Sequence, residues 1–238
     1  MSGTLKKVLG LIIISMLIII LNILFGDVKN ASTIPVGNKI VVIDAGHGGR
    51  DAGASGKAGL EEKDINLLIA KKLKAYIEES GGTVIMIREE DEGLYSEESR
   101  NKKREDMQNR KKIILDSSAD VFISIHLNSF PEGKYHGAQV FYPKGPKSSQ
   151  WLARVMQQEL RRVLDKNNDR VEKSNDTYFI IKDNGIPSVL IECGFLSNAA
   201  EEKLLGQGWY QEKIAWSIYI GLLRYFSEPI PDVIPGEG

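Results

Sequence analysis

Cysteine is almost missing from this 238-residue chain. Cys193 stands alone, so no internal disulfide can form and no cysteine-closed structural zinc site can be built. One cysteine neither requires nor excludes an oxidising compartment. Net charge is nearly absent too: 31 Lys and Arg against 32 Asp and Glu leave −1, which excludes a strongly basic nucleic-acid surface. There is no GxGxxG and no Lys-Ser/Thr after a glycine loop, so a phosphate cradle is disfavoured. The HExxH helix of the common metalloproteases is also missing. Internal repeats and low-complexity blocks are not found. What is present, 42% apolar residues, suffices for one good core, and a single folded domain is the expectation.

One long apolar run opens the chain. Lys6 and Lys7 precede residues 8–25, VLGLIIISMLIIILNILF, which is long for a signal-peptide core and near the lower limit for a membrane span. No convincing small-x-small cleavage site follows. Residues 1–26 therefore read as a transmembrane anchor or uncleaved signal, with the basic side cytoplasmic and everything after it outside. Residues 27–38 read as a linker, 39–226 as the folded domain, and 227–238, SEPIPDVIPGEG, as a flexible tail.

The domain begins with KIVVIDAGHGGRD, residues 39–51. Its β-branched apolar run at 40–43 predicts a strand buried on both faces. The strand ends in His47, flanked by glycines that let the backbone turn sharply beside a ligand. Carboxyl ends of strands are where open α/β sheets bind ligands. Residues 120–125, DVFISI, repeat the arrangement and end in His126. Residues 188–191 predict a further buried strand with Glu192 at its end, a carboxylate that needs a reason to follow a buried run. Between them the pattern predicts a helix after Glu61 and Glu62, strands at 83–87 and 137–142, a short strand at 177–181, and helices at 148–164 and 210–226. The charged stretch 100–117 reads as a solvated helix. His136, in a polar turn, is set aside as a ligand.

Two neutral imidazoles and one carboxylate with an open fourth position make a catalytic zinc site. Such a metal polarises a carbonyl and lowers the pKa of its water to about 7, while a second carboxylate moves protons. His47, His126, one of Glu61 or Glu62, and Glu192 supply the four roles. Rival readings are another extracytoplasmic zinc peptidase, a cysteine hydrolase using Cys193, and a non-catalytic binding module. The first lacks a second ligand cluster, the second lacks an evident activating neighbour for its thiol, and the third has no need of Glu192.

In order along the chain, VVIDAGHGG, EKDINL, FISIHLNS and VLIECGFLSN resemble the motifs of the zinc-dependent N-acetylmuramoyl-L-alanine amidases, the amidase type 3 family. The chain is most similar to the sporulation-associated, germination-specific members from endospore formers. The resemblance implies an α/β domain with a twisted, mixed, mostly parallel sheet flanked by helices. It implies hydrolysis of the amide between N-acetylmuramic acid and L-alanine of the peptidoglycan stem peptide, in spore cortex maturation through muramic-δ-lactam. It assigns His47, Glu62 and His126 as Zn2+ ligands and Glu192 as catalytic acid/base, leaving Glu61 as a surface neighbour and Cys193 as a buried hydrophobe. Expected partners are the muramyl peptide, the membrane and an activating protein. The expected location is the forespore intermembrane space or the cell wall.

Overall fold

The computed structural model describes residues 3, 10, 12–17, 20 and 34–234. The chain divides into two compact units, residues 1–34 and 35–238. Most of the expected anchor, the linker up to residue 33 and the last four residues of the tail lie outside the described residues. Among those described, no helix is long and apolar enough to cross a membrane. Everything below concerns the second unit.

Among the described residues, six strands form one sheet in the order β2-β1-β3-β6-β4-β5. β1 (Ile40–Ala45), β2 (Thr83–Met86), β3 (Val121–Asn128) and β6 (Ser188–Phe195) run parallel, β4 (Gln139–Tyr142) pairs antiparallel to β6, and the two-residue β5 (Lys173–Ser174) runs parallel to β4. The expected mixed, mostly parallel α/β sheet is thus what the chain forms.

Alternation along the central strands decides what each face carries. Val41, Ile43 and Ala45, Val121, Ile123 and Ile125, and Val189, Ile191 and Cys193 pack on one side. There they meet α1 (Glu62–Glu79), α3 (Lys147–Val163) and α5 (Gly208–Ser227). Each helix presents an apolar row at a spacing of four: Ile65, Ile69, Leu73 and Ile77, then Leu152, Met156 and Leu160, then Ile214, Ile218 and Leu222. The opposite face is thinner. Val42, Phe122 and Leu190 meet Ile114 of α2 (Lys102–Asp116) and the 3-10 turn Phe179–Ile181. On this second face the same alternation places Asp44, Ser124, His126 and Glu192.

Three expectations are revised. Residues 177–181 do not form a strand, because the Asn175 side chain accepts from the Thr177 amide and hydroxyl at 2.7 Å each, and this local turn leads into the 3-10 turn. A short helix, α4 (Ala199–Leu205), was not foreseen; Asn198 caps it by accepting from the Ala200 and Glu201 amides. The charged helix α2 is not purely a wet surface, since Arg110 is only 2% exposed.

Candidate metal centre

The first strand delivers His47 through a turn under tension. His47 has φ 64°, a left-handed conformation uncommon for a residue with a side chain. Two buried guanidinium groups hold the carbonyls of this turn. Arg88 donates to Ala45 O at 2.8 Å and Gly46 O at 3.1 Å, and Arg110 donates to His47 O at 2.6 Å. Arg110 also forms an ion pair with Asp44 at 2.6 Å, while Asp44 accepts from Ser124 Oγ at 2.7 Å. Burial pushes the Asp44 carboxyl up, but Arg110, His126 and the Ser124 hydroxyl together outweigh it and keep it below the usual range.

Glu62 enters from the first turn of α1 and is 3% exposed. Its Oε1 lies 3.2 Å from His47 Nε2 and 3.1 Å from His126 Nδ1, and accepts from the Leu127 amide at 2.9 Å. Oε2 accepts from the Ala54 amide at 2.8 Å. Burial opposes the charged form of Glu62, but the two imidazoles outweigh it and hold the carboxyl well below the carboxylate range. His47 is correspondingly pushed up to about 8: burial pulls it down, and the carboxylates of Glu62 and Asp51 together more than reverse that. Glu61 faces away and lies 3.4 Å from Lys63 Nζ.

Glycines make this convergence sterically possible. A Cβ on Gly46 would lie 2.3 Å from the His126 ring, and one on Gly53, whose φ is +69°, would lie 2.6 Å from Glu62 Oε2 and 2.7 Å from His47 Cδ2.

The donor set fits a divalent metal. One ligand atom from each of His47, Glu62 and His126 lies within 4.8 Å of the others. The two rings stand edge to face at 5.0 Å. His47 Nδ1 is buried 3.0 Å from Asp51 Oδ1 and has no other partner among the described residues. Two imidazoles and one carboxylate are the donors that zinc takes in catalytic sites.

Glu192 stands beside this cluster. The parallel register of β3 and β6 pairs it with His126. The strand continues past it to Phe195, so Glu192 lies within β6 and not at its end. Its Oε1 is 3.4 Å from the Tyr178 hydroxyl, and its buried Oε2 has no partner among the described residues. Burial, helped by the Glu62 charge, pushes the Glu192 carboxyl up to about 7. A cavity of about 610 Å³ is lined by His47, Glu62, His126, Asn128, Tyr178 and Glu192 among others. Cys193 points into the core on the opposite face, where burial pushes its thiol well above the usual range. His136 is exposed, and its carbonyl accepts from Arg170 at 2.8 Å.

Sequence reasoning missed Asp44, Arg88, Arg110 and Tyr178. Asp44 carried a usable signal, since it too is a carboxylate closing a buried run. The others carried none.

An α/β sheet that gathers two histidines and a glutamate at its strand ends, beside a carboxylate titrating near neutrality, has the layout of a metal-dependent hydrolase. Comparison with known proteins is more specific. The family model for N-acetylmuramoyl-L-alanine amidases matches residues 41–224, and the chain belongs to that family. It is 43% identical over 199 residues to the germination-specific N-acetylmuramoyl-L-alanine amidase of Bacillus subtilis, covering 82% of this chain and 83% of the relative. Among solved structures it is similar to the CwlD amidase of Clostridioides difficile in complex with the GerS lipoprotein, at 55% identity and a TM-score of 0.78, over 80% of this chain and 99% of that one. An N-acetylmuramoyl-L-alanine amidase of Clostridium difficile 630 matches at 30% identity and a TM-score of 0.70, over 81% of this chain and all of the other.

Proposed function

We propose that the chain is a zinc-dependent amidase that hydrolyses the bond between the lactyl group of N-acetylmuramic acid and L-alanine of the stem peptide. Its biological setting would be spore cortex maturation, where removal of the peptide precedes muramic-δ-lactam formation and permits germination. The observation that carries the reading is the convergence of His47, Glu62 and His126 beside Glu192 on a single cavity.

In this reading His47, Glu62 and His126 hold the metal, which when bound polarises the scissile carbonyl and acidifies water. Glu192 moves the protons. As a carboxylate it takes a proton from the attacking water, and as a carboxylic acid it returns that proton to the departing amine of L-alanine. A pKa near 7 suits both directions at neutral pH. Asn128, on the cavity wall, accepts or donates a hydrogen bond to the substrate.

The CwlD relative is seen with the GerS lipoprotein, which supports an activating protein partner for this chain as well. The apolar run at residues 8–25 supports a membrane anchor and a site of action outside the cytoplasmic membrane, in the forespore intermembrane space or the cell wall.

The test is metal content together with digestion of purified peptidoglycan, before and after chelation and zinc restoration. New L-alanine amino termini that vanish with chelator and return with zinc are the expected result. Hydrolysis that persists without metal would overturn the reading.

A further inference from the structure

The Glu192 carboxylate has one hydrogen-bond partner among the described residues, the Tyr178 hydroxyl at 3.4 Å from Oε1. Its other oxygen, Oε2, is buried without a partner. The two oxygens are therefore inequivalent before any substrate arrives: one is tied and the other is left for a proton. A glutamate side chain has three rotatable bonds, and a carboxyl group with no tie can rotate its proton away from the reacting atoms.

Tyr178 is built to supply that tie. It immediately precedes the 3-10 turn Phe179–Ile181 and comes from a different part of the chain than any of the expected metal ligands. Its ring packs edge-on against Phe141 of β4 at 5.4 Å between centroids, which fixes where the hydroxyl sits. β4 is itself hydrogen-bonded to β6, with Phe141 opposite Leu190 and Gln139 opposite Glu192. Ring support and carboxylate are thus carried on adjacent, paired strands. Burial and the Glu192 charge push the Tyr178 phenol up to about 12, so near neutral pH it remains a donor and does not compete for the proton.

We propose that Tyr178 is a positioning residue for the hydrolysis. It donates a hydrogen bond to Glu192 Oε1, orients the carboxyl group, and leaves Oε2 as the oxygen that exchanges the proton. This rests on the amidase reading given above. No bond is made or broken at Tyr178; its effect passes through Glu192.

The experiment uses the full chain, purified in detergent and loaded with zinc, acting on purified peptidoglycan. The variants are Tyr178→Phe, Glu192→Gln and the two combined. Phenylalanine keeps the ring packed on Phe141 and removes only the hydroxyl, so zinc stoichiometry and the thermal midpoint should match the wild type. Loss of one hydrogen bond to a charged group predicts a fall in kcat of about 10- to 100-fold with KM changed by less than about twofold. In the Glu192→Gln background the same substitution should have no further effect on residual turnover. A Tyr178→Phe enzyme with wild-type kcat overturns the inference, and so does a loss that is equally large when Glu192 is already glutamine. Should the wild-type chain fail to release L-alanine termini both alone and with the lipoprotein partner proposed above, the amidase reading fails instead.

Discussion

Arg110 and Asp44, 66 positions apart in sequence, meet in an ion pair of 2.6 Å whose side chains are 2% and 3% exposed. The pair lies directly beneath the turn that presents His47, and the same guanidinium holds the His47 carbonyl. A buried charge is tolerated when it is paired and costly when it is not.

Arg110→Met leaves Asp44 ionised and unpaired in the interior. The expected loss is about 3–5 kcal/mol of folding stability, measured by urea unfolding. Asp44→Asn combined with Arg110→Met should recover part of it, because the fully buried charge of Asp44 is then gone and only the less buried Asp106, 2.7 Å from Arg110, has lost its partner. Full additivity of the two losses would refute the coupling.

Gly53→Ala tests the cradle around Glu62. Its Cβ would press on Glu62 Oε2 and the His47 ring from a backbone with φ +69°. Displacing a carboxylate held by the Ala54 amide should weaken zinc binding by roughly 10- to 100-fold. Competition with a chromogenic chelator would measure this directly; unchanged affinity would show that the cluster tolerates the displacement.

Glu192→Gln removes the proposed proton carrier while keeping its shape. Turnover should fall by about 10²- to 10⁴-fold, and zinc stoichiometry by elemental analysis should stay that of the wild type. Retained turnover would take Glu192 out of the chemistry.

The same substitution has a pH signature in the metal-free protein. Glu192 titrates at about 7 in the fold, raised from 4.5. Between those values the folded state binds more protons than the unfolded one, so stability contributed at this site falls as pH rises through the window. Glutamine does not titrate. The variant should match the wild type near pH 4.5 and exceed it by about 3 kcal/mol above pH 8. Urea unfolding at both pH values after chelation checks it; a gap that widens toward acid would reverse the assignment.

Much of the candidate site could be read in the sequence because its residues punctuate apolar strands. His47, His126 and Glu192 each follow a buried run; β-strand alternation carries His126 and Glu192 to one face, and the left-handed turn after β1 brings His47 to them. Glu62 could not be separated from Glu61 by pattern alone, since both suit the start of a helix through its dipole. The fold resolves the ambiguity: the helical phase turns Glu62 inward and leaves Glu61 beside Lys63. Arg110 was hidden by its surroundings. In α2 a single inward guanidinium among many outward charges leaves no periodic trace. Tyr178 was hidden for another reason, because its position depends on a turn set by the Asn175 side chain and not on any repeating pattern.

Glu192 and Cys193 are consecutive residues of β6 that look to opposite sides of the sheet, one to the cavity and one to the core. Removing a single residue from the stretch Ser188–Ile191 while its ends stay anchored would exchange them. The thiol would then face His126 and the carboxyl group would enter a wholly apolar layer. This strand can therefore accept substitutions far more readily than changes in length, and in descendants of this gene its residue count should outlast its residue identities.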